Sequence, residues 1–321
     1  LEDFSMNTPS RFSQAPLREK ILIWVEAVRA PFFTAVLVPV LLASVMAWQD
    51  GYPLQVGYFL LALVAGIFMH AGTNVVNDYA DNRSRCDVIN QEFQRPFTGG
   101  SRALQKGNLT PREALTGGLL FFAASTVLGL LIVALRGMPI FWLGLAGTIC
   151  GIFYTLPPFN FAARGFGELV VGLCFGTLMM LGAYYVQAQT FSADVVVASL
   201  PVTLLIAGVL YINEFPDYVA DRDTGKRHLV VRMGRQRAVS GYIAILAATY
   251  LSIALGVAAR ILTPWALIAL LTLPQAWKAV KVARAHYAEA GKLVPANAAT
   301  VGIHLMTGLL LTAAYALSAI F

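Results

Sequence analysis

Charge is scarce in this sequence. Of 321 residues only 12% are Asp, Glu, Lys or Arg, against roughly 25% in a typical soluble domain. With 58% hydrophobic residues and a mean hydropathy of +0.67, the chain cannot hide its apolar surface in one water-soluble core, which points to an integral membrane protein. Cysteine is rare too. Cys86, Cys150 and Cys174 show no CxxC or metal-ligand spacing and read as two buried apolar thiols and one loop thiol. The four histidines form no HxxxH pair, which speaks against a helix-borne zinc site. Strand-type alternation is missing, so an outer-membrane barrel is excluded. There is no low-complexity stretch and no linker, so residues 1–321 are expected to form a single domain. The first long apolar segment is too long for a signal-peptide core and lacks a small-residue cleavage site, so no cleavable signal peptide is expected.

Long apolar runs are plentiful. A span needs about 20 mostly apolar residues, and nine segments qualify: 21–48, 54–80, 113–135, 138–156, 166–188, 194–216, 238–259, 262–280 and 297–320. The expected fold is all-α: an integral membrane bundle of nine transmembrane helices around a central cavity. Lys and Arg orient it. With the N-terminus inside, all 23 but Arg136 and Arg260 fall on the cytoplasmic face, as the positive-inside rule requires. The net charge of +6 therefore reflects basic loops, and no nucleic-acid partner is expected. Residues 1–20 form the N-terminal cytoplasmic segment, and the long loops 82–112 and 217–237 lie on the same side. The opposite loops, such as QDGYP and RGMP, are short, so chemistry is expected at the cytoplasmic face.

Two acidic clusters stand at the cytoplasmic ends of spans. The first is NVVNDYADNRSRCD, residues 74–87. On a helix, Asn74, Asn77, Asp78 and Asp81 fall within an arc of roughly 100°. Asp87 would point elsewhere if the helix continued, but a loop there could fold it back. The second is NEFPDYVADRDTGKR, residues 213–227, with Asn213, Asp217 and Asp221 at i, i+4, i+8. Each cluster has an Asn four residues before an Asp, then Tyr, then another Asp. This weak internal repeat suggests two pseudo-related halves around a shared cavity.

Carboxylates packed this closely repel one another and cannot all ionise unaided. Divalent cations resolve the repulsion, and an oxygen-only donor set favours Mg²⁺, which is usually bound through carboxylates and substrate phosphate together. Asn77, Asp78, Asp81, Asp87, Asp217 and Asp221 are the candidate metal ligands. A site built from both clusters would hold two or three Mg²⁺ and, through them, a diphosphate. The interleaved cations Arg83, Arg85, Arg102, Lys226 and Arg227 suit the same ligand, and Asn74 and Asn213 supply further polar contacts.

These residues resemble the UbiA superfamily of intramembrane prenyltransferases. The first family motif appears here as N77DYAD81NRSRCD87, and the second as D217YVAD221 followed by Gly225, Lys226 and Arg227. The stretch Y154TLPPFNFAARGFGE168 is similar to the family's Tyr-x-x-Pro-Pro segment leading to a Gly-Glu pair. Where the common short motif has its last Asp, this chain has Arg85, and the acid comes two residues later as Asp87. That spacing, and GGSRALQKGNLTPREAL at 99–115, resemble the branch that prenylates 1,4-dihydroxy-2-naphthoate in menaquinone synthesis.

The resemblance implies a Mg²⁺-dependent enzyme that takes a polyprenyl diphosphate, with its tail in the membrane lipid region, and alkylates an aromatic acceptor. Asp78, Asp81, Asp217 and Asp221 would serve catalysis through the metal, with Tyr154 facing the allylic cation. Glu168 opens the fifth span, where an acid is costly unless it lines a cavity, and is expected to touch substrate. Other acceptors stay open: 4-hydroxybenzoate, a tetrapyrrole, or a glycerol-phosphate lipid. A rival class is a secondary transporter or cation channel, although its acids would sit near the midplane. The loops 82–112 and 217–237 are expected to cap the bound headgroup, since a bent glycine-rich FTGGSR can fold over a ligand and keep water from the cation.

Overall fold

The computed structural model describes residues 10–321. The first nine residues of the N-terminal segment lie outside the described residues. Among the described residues nine helices are long and apolar enough to cross a membrane: Ala30–Gln49, Val56–Arg83, Pro111–Arg136, Met138–Thr155, Gly167–Ala188, Ala193–Asp223, Arg235–Ala258, Pro264–His286 and Ala290–Ile320. They are the first to ninth spans below. Each packs on the next, and the ninth returns to pack on the first, so consecutive up-and-down spans close into a ring. The fold is an all-α, multi-pass membrane bundle. Its lipid-facing surface is apolar, as at Leu119, Leu120, Val127 and Leu130 of the third span.

Local signals set the turns. Thr110 accepts from the Glu113 N–H while Glu113 reaches back to the Thr110 N–H, a capping box that starts the third span. On the face opposite the acids, Gly137 at φ 103° makes the tight turn into the fourth span, a conformation glycine adopts without a Cβ penalty. There the buried Arg136 donates to the Gln187 carbonyl at 2.7 Å and lies over the Tyr58 ring.

Two boundaries depart from the expectation, and one span carries an internal irregularity. The segment 21–48 is not one helix. Leu17–Ala27 is a separate helix, the chain reverses at Arg29 with φ 54°, and the first span starts at Ala30. Leu17, Ile21, Leu22 and Val25 are exposed on that separate helix, while Ile23 and Ala27 are buried against Ala103 and Leu109. Periodicity alone could not separate an amphipathic helix abutting a span from one long span. The sixth span runs on through Asp223, so the stretch 217–237 is loop only between the span and the short helix Leu229–Met233. The fifth span contains one π-helical turn, Cys174–Leu178, which brings Phe175 to the cavity wall; π-turns of this kind have no composition signature.

Candidate active site

The second and sixth spans end at one cavity of about 180 Å³, and acids of both face it. Asn74, Asn77 and Asp81 line it from the second span, and Asn213, Asp217 and Asp221 from the sixth. Lys226 bridges the two motifs, with Nζ 3.3 Å from Asp81 Oδ2 and 3.7 Å from Asp221 Oδ1. Burial opposes its charge, but Asp221 and Asp81 outweigh that cost and raise its pKa well above the ordinary lysine value.

The loop 82–112 folds over this opening. The second span stops at Arg83, and Arg85 at φ 66° reverses the chain into the one-turn helix Cys86–Ile89. That reversal brings Asp87 to the cavity wall, where it is 4% exposed. Burial, then Asp81 and Asp78, push its carboxyl up to about 8. The Asn90 amide donates to Asp217 Oδ1 at 2.6 Å, and the Gly99 N–H donates to Oδ2 at 3.2 Å. Gly100, at φ 68°, sits so close that a Cβ would meet Asp87 Oδ2 and Asp78 Oδ1. A side chain at 100 would fill the cradle.

Asp78 does not line the cavity. It pairs with Arg29 and accepts the Ser101 N–H at 3.1 Å. The Arg29 charge is opposed by burial and sustained mainly by Asp78, which raises its pKa above the usual value. Four predicted diphosphate ligands also lie elsewhere. Arg83, Arg85 and Arg227 are exposed, and none lines the cavity. Arg102 bonds the Asp87 carbonyl and stacks on Phe93, so it braces the loop from outside. Their motif positions gave the sequence distance to the acids but not the direction in which the chain turns.

Two groups of residues have a donor set for a cation. The first is Asp81, Asp87, Asp217 and Asp221 with Asn77 between them. Here Asp87 Oδ2 is buried without a hydrogen-bond partner, and among the described residues the four carboxylates have Lys226 and Arg29 as the Lys and Arg side chains lining the cavity, with His228 behind Asp221. An all-oxygen set short of positive charge fits Mg²⁺. The second is Glu168, Glu214 and His228, all buried, with donor atoms within 4.8 Å of one another. In that trio both imidazole nitrogens already meet carboxylates: Nδ1 is 3.1 Å from Glu214 Oε2 and Nε2 is 3.0 Å from Asp221 Oδ2. Burial works against a charge on His228, but Glu214 and Asp221 override it and raise the pKa to about 10. The imidazolium supplies the positive charge there. Glu168 is buried outside the cavity lining and accepts the Leu229 N–H at 2.9 Å.

Arg29, Asn90, Glu214 and His228 carried no site signal in the sequence. Arg29 read only as topology, and His228 only as a scattered histidine. Cys86, expected as a loop thiol, is buried and donates to Asp221 Oδ1 at 2.6 Å; burial pushes its pKa up.

Tyr154 lines this polar cavity and also a second, apolar one of about 360 Å³. Thr73, Val171 and Phe175 are shared in the same way. The apolar cavity runs between the second, third, fourth and fifth spans, past Gly66, Gly129, Gly147 and Gly182. A ligand with a charged head and a long apolar tail fits such a pair of joined cavities.

Comparison with known proteins agrees with this arrangement. The chain is 27% identical over 269 residues to a 1,4-dihydroxy-2-naphthoate octaprenyltransferase of Bacillus subtilis, covering 83% of this chain and 84% of that one. It is 27% identical over 313 residues to a 2-carboxy-1,4-naphthoquinone phytyltransferase of Synechocystis sp., covering 96% and 97%. The fold resembles that of a UbiA homolog from Archaeoglobus fulgidus bound to GPP and Mg²⁺, with a TM-score of 0.60 at 17% identity over 93% of this chain and 99% of that one. The sequence model of the UbiA prenyltransferase family matches residues 36–301, a stretch that holds both aspartate motifs and Tyr154, and the chain belongs to that family of membrane prenyltransferases.

Proposed function

We propose that this prenyltransferase moves a polyprenyl group from a polyprenyl diphosphate to a dihydroxynaphthoate-type acceptor in menaquinone-type quinone synthesis, with Mg²⁺, releasing diphosphate. The observation that carries this reading is the junction at Tyr154 between the acid-lined cavity and the apolar one. The names of the Bacillus and Synechocystis relatives support the naphthoate acceptor. GPP and Mg²⁺ in the Archaeoglobus structure support the donor and the metal.

Asn77, Asp81, Asp87, Asp217 and Asp221 would hold the Mg²⁺. When bound, the metal supplies Lewis-acid stabilisation of the charge on a leaving diphosphate. The chain's own residues do the rest. Lys226 and Arg29 place fixed positive charge beside that oxyanion, at no cost of reorganisation. Tyr154 presents a ring at the junction where the allylic carbon is released. Asp78 acts at one remove: through Arg29 and Ser101 it ties the loop 82–112 over the opening, which keeps bulk water from the reacting carbon. The acid-bearing face is taken as cytoplasmic, with the N-terminus inside.

Purified protein given a polyprenyl diphosphate and 1,4-dihydroxy-2-naphthoate should form the prenylated naphthalene and diphosphate, and chelation of Mg²⁺ should stop both. Transfer to 4-hydroxybenzoate or a glycerol phosphate instead would refute the acceptor. For sidedness, Gln91→Cys and Asp223→Cys should be labelled from the cytoplasm and Thr190→Cys from the opposite side; a split between 91 and 223 would break the topology.

A further inference from the structure

We propose that Glu214 is the group that takes the hydroxyl proton of the aromatic acceptor. This deepens the reading above and rests on it. Five carboxylates line the polar cavity, and Glu214 is the one outside both aspartate motifs. It lies on the sixth span three residues before Asp217, so about 4.5 Å deeper along the helix axis. That places it below the ring of metal-binding oxygens, on the wall shared with Tyr154 and Asn213.

Its surroundings suit a proton acceptor. Glu214 is 8% exposed, and a buried carboxylate is costly unless it is paired or holds a proton. His228 Nδ1 lies 3.1 Å from its Oε2. Behind it, Glu168 Oε2 is buried with no hydrogen-bond partner, while its other oxygen takes the Leu229 N–H. The donor atoms of the two carboxyl groups and His228 lie within 4.8 Å of one another. Lys226, Tyr154, His70 and His304 also line the cavity. Lys226 is engaged by Asp81 and Asp221, a neutral phenol is a weak base, His70 is packed against the Phe33 and Phe175 rings, and His304 on the ninth span is turned to the Thr34 carbonyl, 3.4 Å from Nε2.

The step balances as follows. The acceptor hydroxyl gives its proton to Glu214, and the oxyanion's electron pair is delocalised onto the ring carbon. That carbon bonds to the allylic carbon as the allylic C–O bond breaks, with its electron pair leaving on diphosphate. The substituted ring carbon then gives its own proton to the released diphosphate, or loses its carboxylate as carbon dioxide with the bonding pair staying on the ring, and the ring regains aromaticity. The proton on Glu214 returns to the ring oxygen.

The test is Glu214→Gln, assayed with hydroxynaphthalene acceptors of graded acidity. With weakly acidic acceptors kcat should fall about 10²–10⁴-fold, the range general-base catalysis supplies, while KM for the prenyl diphosphate stays within about threefold. With acceptors already ionised at the assay pH, the loss should shrink below about tenfold. An equal loss across the series, or no loss at all, overturns the assignment. If Glu214→Gln does not fold, as judged by its helical spectrum, Glu214→Asp is read in the same series. There too a loss graded with acceptor acidity supports the role, and a uniform one overturns it. A wild-type protein that prenylates only non-aromatic alcohols refutes the underlying reading and this inference with it. Wild-type transfer to aromatics with an ungraded variant refutes Glu214 alone.

Discussion

The two aspartate motifs look like copies and behave differently. In each, an Asn precedes an Asp by four residues and a Tyr follows, yet the matched aspartates Asp78 and Asp217 have separate fates. Asp217 faces the cavity, held by the Asn90 amide and the Gly99 N–H. Asp78 is turned against Arg29 and Ser101. The last acids, Asp81 and Asp221, converge on Lys226. Symmetry therefore holds at the metal-facing end of each motif and fails one turn earlier, because Asp78 is claimed by the Arg29 charge and the Ser101 N–H, whereas Asp217 meets the neutral donors of Asn90 and Gly99. Repetition in sequence marks where a helix end meets the cavity; it does not assign each acid the same work.

The comparison breaks most visibly if the converging acids are removed. Asp81→Ala and Asp221→Ala should each lower diphosphate release by at least about 10³-fold, since loss of several kcal/mol of charge stabilisation costs a tenfold per 1.4 kcal/mol. Both variants should keep the helical spectrum, and a fully active Asp81→Ala would remove the metal assignment. Next in size is the bridge. Lys226→Gln should raise KM for the prenyl diphosphate about 10–100-fold, the range of a charged hydrogen bond worth ~1.5–3 kcal/mol; an unchanged KM would leave Lys226 as a purely structural cation.

The matched pair sharpens the contrast. Asp78→Ala strands Arg29, a cost of about 3 kcal/mol for a broken buried pair, so its Tm should fall clearly while Mg²⁺ still raises that Tm. Asp217→Ala should show the reverse, little change in Tm and a lost response to Mg²⁺. Identical thermal behaviour of the two would restore the symmetry. The smallest effect is expected in the loop. Mg²⁺ with a non-hydrolysable polyprenyl diphosphate analogue should slow proteolysis at Arg95 and Arg102, and Asp81→Ala should abolish that protection. Unaltered cleavage would leave the loop as a static lid. Its links to the separate Leu17–Ala27 helix, Arg95 to Glu26 at 2.9 Å and Lys106 to Glu26 at 2.6 Å, give it a resting position in either case.

Much of this was legible beforehand because the membrane is a strict solvent. It demands about 20 apolar residues per span, internal hydrogen bonding and sorted basic charge. Apolar run lengths therefore announced the spans, with the exception of 21–48, where an exposed amphipathic turn abuts a span and hydropathy averages across the break at Arg29. Helical spacing put Asn213, Asp217 and Asp221 on one face, but hydropathy ended the sixth span at 216 because the acids break the apolar run, whereas the helix continues to Asp223. The arginines were misplaced for a physical reason. Arg83 and Arg85 are neighbours of acids in sequence, but the left-handed turn at Arg85 sends Asp87 inward and leaves both guanidinium groups in solvent.

By itself, the sequence determined a nine-span helical membrane protein with two acid-tipped spans and the family motifs, because each of those features is local: a run length, a helical period, a spacing. Tertiary structure alone decided that Arg29 belongs to Asp78, Asn90 to Asp217, and Glu214 to Glu168 and His228. Glu214 and Glu168 are 46 residues apart in the chain and share one buried pocket. Such pairings depend on which helices the ring brings together and which way a loop turns, and desolvation at those meeting points decides which charges must find each other.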